Sequence, residues 1–223
     1  MSASTYDDLP YEDYCFARTH PEHLFAVSAL CARSAPHFTR CRVLELGCAR
    51  GANLIPMALD LPASEFVGVD LSARQIDEGR ARVDALGLAN IKLREGSIVD
   101  VDEADGTFDY VICHGVYSWV PADVRDAILR VCRARLRPDG VAYVSFNALP
   151  GWNAARTVRE FLAMHVPSTG SASQRLARAR DALAVLAEAV QSARPRRPAG
   201  CAPSSPPSPR PTTATSFTST SRP

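Results

Sequence analysis

The cysteines, at positions 15, 31, 41, 48, 113, 132 and 201, include no C-x-x-C pair, and no metal-ligand spacing is present. Seven unpatterned thiols fit a reduced, cytoplasmic protein better than a disulfide framework, and no metal is expected. Early apolar runs of the signal-peptide kind are missing, and no stretch is long enough to span a bilayer, so no membrane partner is expected. Excess charge is lacking as well. The net charge is +1, which leaves no strong field for nucleic acid. Acids stop at Glu188, whereas Arg194, Arg196, Arg197, Arg210 and Arg222 follow, so the part that folds is mildly acidic. With 46% hydrophobic residues in 223, the chain can bury the core of one domain and carry an appendage.

Against this background one stretch stands out, Arg42-Val43-Leu44-Glu45-Leu46-Gly47-Cys48-Ala49-Arg50-Gly51-Ala52-Asn53, followed by the helix-compatible Leu54 to Leu59. An apolar run of strand length, a glycine-bearing turn and a helix form the half-unit that presents free backbone N–H groups to a nucleotide-like ligand. Glu65-Phe66-Val67-Gly68-Val69-Asp70 reads as the next strand. It ends in a carboxylate about 20 residues after the loop, the separation at which an acid reaches ribose hydroxyls. A dinucleotide fingerprint would need glycine at 49 and 52, where Ala49 and Ala52 stand. The loop fits E-x-G-x-G-x-G with alanine at the middle glycine.

Val43 to Gly51 resembles the first motif of class I S-adenosylmethionine (SAM)-dependent methyltransferases. The resemblance implies SAM as cofactor and a doubly wound, mostly parallel, Rossmann-like α/β sheet. It assigns Gly47, Ala49 and Gly51 to the methionine part of SAM, Glu45 to its amino end, Asp70 to the ribose and Leu71 to a face of adenine. Cys48 and Asn53 complete the loop's share of the cofactor set, with both Cys48 and Cys113 read as small core residues. Where the family commonly has an acid after the third strand, Ile91 to Glu95, this chain has Ser97. The backbone N–H groups of Ser97 and Ile98 then stand in as the adenine contact.

Phe108 to Cys113 reads as a fourth strand, ending at His114-Gly115-Val116-Tyr117-Ser118-Trp119-Val120-Pro121. Loops at the carboxyl ends of parallel strands hold the chemistry of open α/β sheets. His114 titrates near neutrality and is the candidate proton acceptor beside the cofactor, or else a donor that fixes the loop. Tyr117 is a second catalytic candidate; it and Trp119 either stack on a planar substrate or pack under the loop. Tyr11, His20 and Trp152 are candidates for the substrate mouth. Pro121 starts a helix carrying Val124, Ile128, Leu129 and Leu136, Pro138-Asp139-Gly140 ends it, and Val141 to Phe146 is the fifth strand.

Four regions follow. Residues 1–35 form an N-terminal lid segment, in which Thr19 caps a helix bearing the stripe Leu24, Phe25, Val27, Leu30 and Cys31. Residues 36–166 are the SAM-binding domain, with the last sheet strands of the family missing. Residues 167–192 are the helical start of a truncated C-terminal region, and 193–223 a disordered Pro/Ser/Thr/Arg-rich tail. The His114–Pro121 phrase, Thr19-His20-Pro21 and Pro150-Gly151-Trp152 resemble a bacterial group whose methyltransferase domain precedes a helical regulatory domain. The expected function is methyl transfer from SAM to a small-molecule or protein acceptor. The alternatives are a SAM-binding regulatory protein without turnover and, further off, an NAD-dependent oxidoreductase. No Asn-Pro-Pro-aromatic tetrad follows the fourth strand and no Pro-Cys pair is present, which sets aside two types of nucleic-acid methyltransferase.

Overall fold

The computed structural model describes residues 14–193, so Tyr11 and the expected tail after Ala193 lie outside the described part. The chain divides into two compact units, one ending at Ala182 and one starting at Leu183. Five strands, β1 (Arg42–Leu46), β2 (Glu65–Asp70), β3 (Ile91–Glu95), β4 (Phe108–Cys113) and β5 (Leu136–Val144), form a sheet of order β3-β2-β1-β4-β5. Every pairing in it is parallel. The helices are α1 (Pro21–Leu30), α2 (Leu54–Asp60), α3 (Ala73–Ala85), α4 (Ala122–Arg135), α5 (Asn153–His165) and α6 (Ala172–Ala193). The described part of the second unit is the C-terminal half of α6. Among the described residues no helix is long and apolar enough to cross a membrane.

Side chains alternate across the central strands, and both faces are covered. Val43, Phe66, Tyr110 and Ile112 pack with Leu24 of α1, Leu54, Ile55 and Met57 of α2, and Ile76 and Val83 of α3. Leu44, Leu46, Val69 and Val111 pack with Ile128, Val131 and Cys132 of α4 on the other face. At about 1.5–3 kcal/mol for each fully buried Leu, Ile or Phe, these two layers hold the strand ends in place. The strand order reverses direction at β1, between β2 and β4, which opens a crevice at their carboxyl ends.

Three local expectations are corrected. His20, rather than Thr19, caps α1: its Nδ1 accepts the Glu22 N–H at 3.2 Å, while Thr19 is wholly buried and bonded elsewhere. The α1 stripe is not a core face, since only Leu24 is buried and Val27 and Leu30 are exposed. Finally, Pro138-Asp139-Gly140 lies within β5. The β4 register runs from Phe108↔Leu136 to Tyr110↔Val141, so residues 137–140 bulge out opposite Asp109. The buried Asp109 carboxylate accepts Arg137 Nη1 at 2.8 and 3.0 Å and the Arg42 N–H at 2.7 Å, which anchors the bulge.

Candidate active site

The turn leaving β1 is built by close backbone approach. Gly47 has φ +78°, and a Cβ there would meet Val116 Cγ2 at 2.5 Å, so only glycine fits. Its N–H and that of Cys48 both donate to Val69 O, at 2.8 and 3.2 Å. Ala49 has φ +49°, the left-handed region that a glycine in its place would adopt freely. A Cβ there costs about 1–2 kcal/mol. The Ala49 N–H, donated to Asp70 Oδ2 at 2.8 Å, offsets that strain. Gly51 packs under Leu93 and Ile55, and its carbonyl accepts the Ile55 N–H as α2 begins.

Two carboxylates end up beside this turn on paired strands. Asp70 closes β2, and its second oxygen accepts the Ser72 N–H at 3.0 Å. Each oxygen keeps a lone pair for a further donor. Glu45 of β1 is only 4% exposed; Asn53 Nδ2 donates to its Oε1 at 2.7 Å, and its Oε2 is buried without a partner. Burial pushes the Glu45 carboxyl up to about 7, against the hydrogen bond from Asn53, with the charge of Asp70 adding to the rise.

These groups open on one cleft of about 280 Å³. Of the residues singled out in the sequence, Glu45, Gly47, Cys48, Ala49, Asn53, Asp70, Leu71, His114 and Trp119 line it. Gly51, Ser97, Ile98 and Tyr117 do not: Ser97 caps a 3-10 turn, Ile98 sits in the core, and Tyr117 packs against that same core layer. Of the mouth candidates, Trp152 meets Trp119 edge-on at 6.0 Å, whereas His20 does not line the cleft. Sequence reasoning missed Tyr14, Phe16, Gln75 and Val116 as lining residues. Gln75, five positions after Asp70 and within the first turn of α3, could have been found from that spacing. Phe16 could not, because its contacts bridge 37 positions.

His114 follows β4 and stands between Phe16, at a ring distance of 4.0 Å, and Tyr143 at 5.8 Å. Its Nδ1 is buried without a partner. Burial, and then the positive charge of Arg18, hold its imidazole below the usual histidine value, so it is neutral at pH 7. Cys48 and Cys113 are no nucleophiles. Burial raises the Cys48 thiol well above its ordinary value and Cys113 to about 12.

Residues 43–140 match a family described as a methyltransferase domain. Over 187 residues the chain is 37% identical to an uncharacterised protein of Rickettsia prowazekii (strain Madrid E), covering 84% of this chain and 75% of that protein. PKMT2 from Rickettsia typhi, solved in complex with AdoHcy, superposes with a TM-score of 0.72 at 38% identity, covering 81% of this chain and 35% of that one. The chain belongs to the class I SAM-dependent methyltransferases.

A second uncharacterised Rickettsia prowazekii protein is 47% identical to this chain over 186 residues, 83% of this chain and 34% of its own length. The chain thus spans about a third of the length of that relative and of PKMT2. Its cleft suits the family's cofactor, S-adenosylmethionine, on chemical grounds. A buried carboxylate oxygen without a partner calls for a cationic donor, and the Asp70 carboxylate has lone pairs for hydroxyls.

Proposed function

We propose that this chain transfers a methyl group from S-adenosylmethionine to a small-molecule or protein acceptor, with the Glu45–Asp70 cleft as the cofactor site. One observation carries the reading: carboxylates from two paired strands converge on one cleft, and the loop between them is tied to Asp70 through the Ala49 N–H. Glu45 takes the cationic amino group, Asp70 the ribose hydroxyls, Gly47 and Ala49 lie along the methionine part, and Leu71 covers adenine. SAM, when bound, supplies an electrophilic methyl group on sulfur. The chain's own task is alignment and exclusion of water, and a displacement of this kind is accelerated chiefly by positioning. Phe16, Val116 and Trp119 wall the cleft with apolar surface. Neutral His114, in the cleft wall, accepts the proton that the acceptor group sheds.

Calorimetric titration with SAM and with S-adenosylhomocysteine tests the site, and transfer of labelled methyl into size-fractionated bacterial extract tests turnover and acceptor class. Binding of both ligands, label in a defined fraction, and loss of both on Asp70→Ala are the expected results. Binding without transfer to any fraction would leave a SAM-binding protein without turnover, and a response to NAD alone would overturn the reading.

A further inference from the structure

Asn53 lines the cleft, yet its amide is already spent on the protein. The Phe16 N–H donates to Asn53 Oδ1 at 2.9 Å, and a backbone N–H is a donor only, so the orientation of the amide is fixed. Asn53 Nδ2 therefore points its two hydrogens at Glu45 Oε1, at 2.7 Å, and Thr19 Oγ1, at 3.0 Å. Thr19 in turn gives its hydroxyl proton to Phe16 O at 2.8 Å. Both Thr19 and Asn53 are buried, at 0% and 6% exposure. No hydrogen on the amide is left for a ligand.

What this amide joins matters more than its saturation. On one side is Glu45, whose other oxygen is buried and unpartnered in the cleft wall. On the other is the segment Tyr14–Thr19, which carries two of the lining aromatics, Tyr14 and Phe16, and lays the Phe16 ring against His114. Besides the Asn53 pair, the thiol of Cys15 donates to Ala52 O at 3.1 Å, a weak bond. The segment is a strap along one wall of the cleft, and Asn53 fastens it at Phe16 and at Thr19.

We propose that Asn53 is a positioning residue that latches the Tyr14–Thr19 strap to Glu45, so that a cation bound by Glu45 and a closed strap stabilise each other. The inference rests on the cofactor reading above. When Glu45 Oε2 is engaged by the ligand, Oε1 stays with Asn53 Nδ2, the amide keeps its orientation, and the strap is held against His114. Without that engagement the Oε1–Asn53 bond still holds the strap, but the carboxyl is pinned at one oxygen alone and the strap opens more often. Linkage makes the coupling reciprocal: the factor by which bound cofactor favours the closed strap is the factor by which closure favours the cofactor.

Hydrogen exchange of the peptide spanning Phe16–Thr19, with and without saturating S-adenosylhomocysteine, reads the strap, and titration of the same samples reads affinity. In the wild type, ligand slows strap exchange by about tenfold or more, the worth of one or two hydrogen bonds. Asn53→Asp keeps an acceptor for the Phe16 N–H but offers no donor to Glu45. It binds ligand about tenfold more weakly, and at saturation the strap gains no protection. Thr19→Val keeps shape and leaves the Asn53–Glu45 bond intact; exchange of the strap rises in the free protein, and affinity falls with the closed fraction. A melting curve for each variant confirms that it folds. Wild-type binding without strap protection, or Asn53→Asp with wild-type protection at saturation, overturns the latch and leaves the cofactor site standing. No ligand binding by the wild type overturns both.

Discussion

Asp70 stands two positions beyond Gly68, the register partner of Glu45 on the neighbouring strand, yet their surroundings set the two carboxylates different tasks. Asp70 is held by two backbone donors, and replacing it with alanine leaves the Ala49 and Ser72 N–H groups without that acceptor. Asp70→Ala is expected to lose SAM binding by more than about a hundredfold and to lower stability by about 1–3 kcal/mol, read by titration and by denaturant melts. Glu45 has the opposite relation to stability. Its folded value near 7 lies above the ordinary 4.5, so the folded state holds the proton more tightly. That contribution is complete below about pH 4.5 and is lost as pH rises towards 7. Glu45→Gln keeps an oxygen for Asn53 and does not titrate. Its stability advantage over the wild type should therefore be near zero at about pH 4 and grow to a few kcal/mol at about pH 8, while ligand binding is lost at both. In the wild type, affinity for the cationic cofactor should fall as pH drops below 7, because the proton on Glu45 competes with it. Melting midpoints across pH, paired with titrations, check both statements.

Among the elements, β2, β3 and β4 were legible to the residue and β1 in outline, because each is a short run with apolar side chains on at least one face, bounded by turn residues or charge. β5 was not, and the reason is one ion pair. Arg137-Pro138-Asp139-Gly140 has the composition of a turn, but Arg137 is drawn to the buried Asp109 carboxylate, which folds the turn into the strand as a bulge. Local sequence carries no trace of a partner 28 positions away. The α1 stripe misled for a related reason: helical spacing says which residues share a face, not whether anything covers it. The site divides the same way. The glycine turn and Asp70 were marked by spacing and Glu45 by the family resemblance, whereas the strap reaches the cleft only through tertiary contact. Packing of α3 under the loop gives a test at this scale. A Cβ on Gly79 would meet Arg50 O at 2.6 Å and Leu93 Cδ1 at 2.7 Å. Gly79→Ala should therefore destabilise by about 1–3 kcal/mol through overpacking. Alanine's better helix propensity, about 1 kcal/mol, would by itself act in the other direction. A denaturant midpoint lower than that of the wild type decides in favour of packing.

For the whole molecule, the two faces of the sheet and the crevice at its carboxyl edge make ligand occupancy a stability term. A ligand that binds the folded chain alone adds about 2.7 kcal/mol at a hundred times its dissociation constant. For a chain of this size that corresponds to a rise of roughly 5–10 °C in melting temperature with S-adenosylhomocysteine, and none with NAD. The cleft also has a built-in optical reporter. Trp119 lines it, with the Arg159 guanidinium 5.2 Å from its ring centroid, and Trp152 abuts it edge-on. The sequence has two tryptophans, and these are both of them. Indole emission therefore arises wholly at the mouth of the crevice, so an unlabelled sample in a cuvette reports arrival and departure of its guest without interference from the rest of the fold.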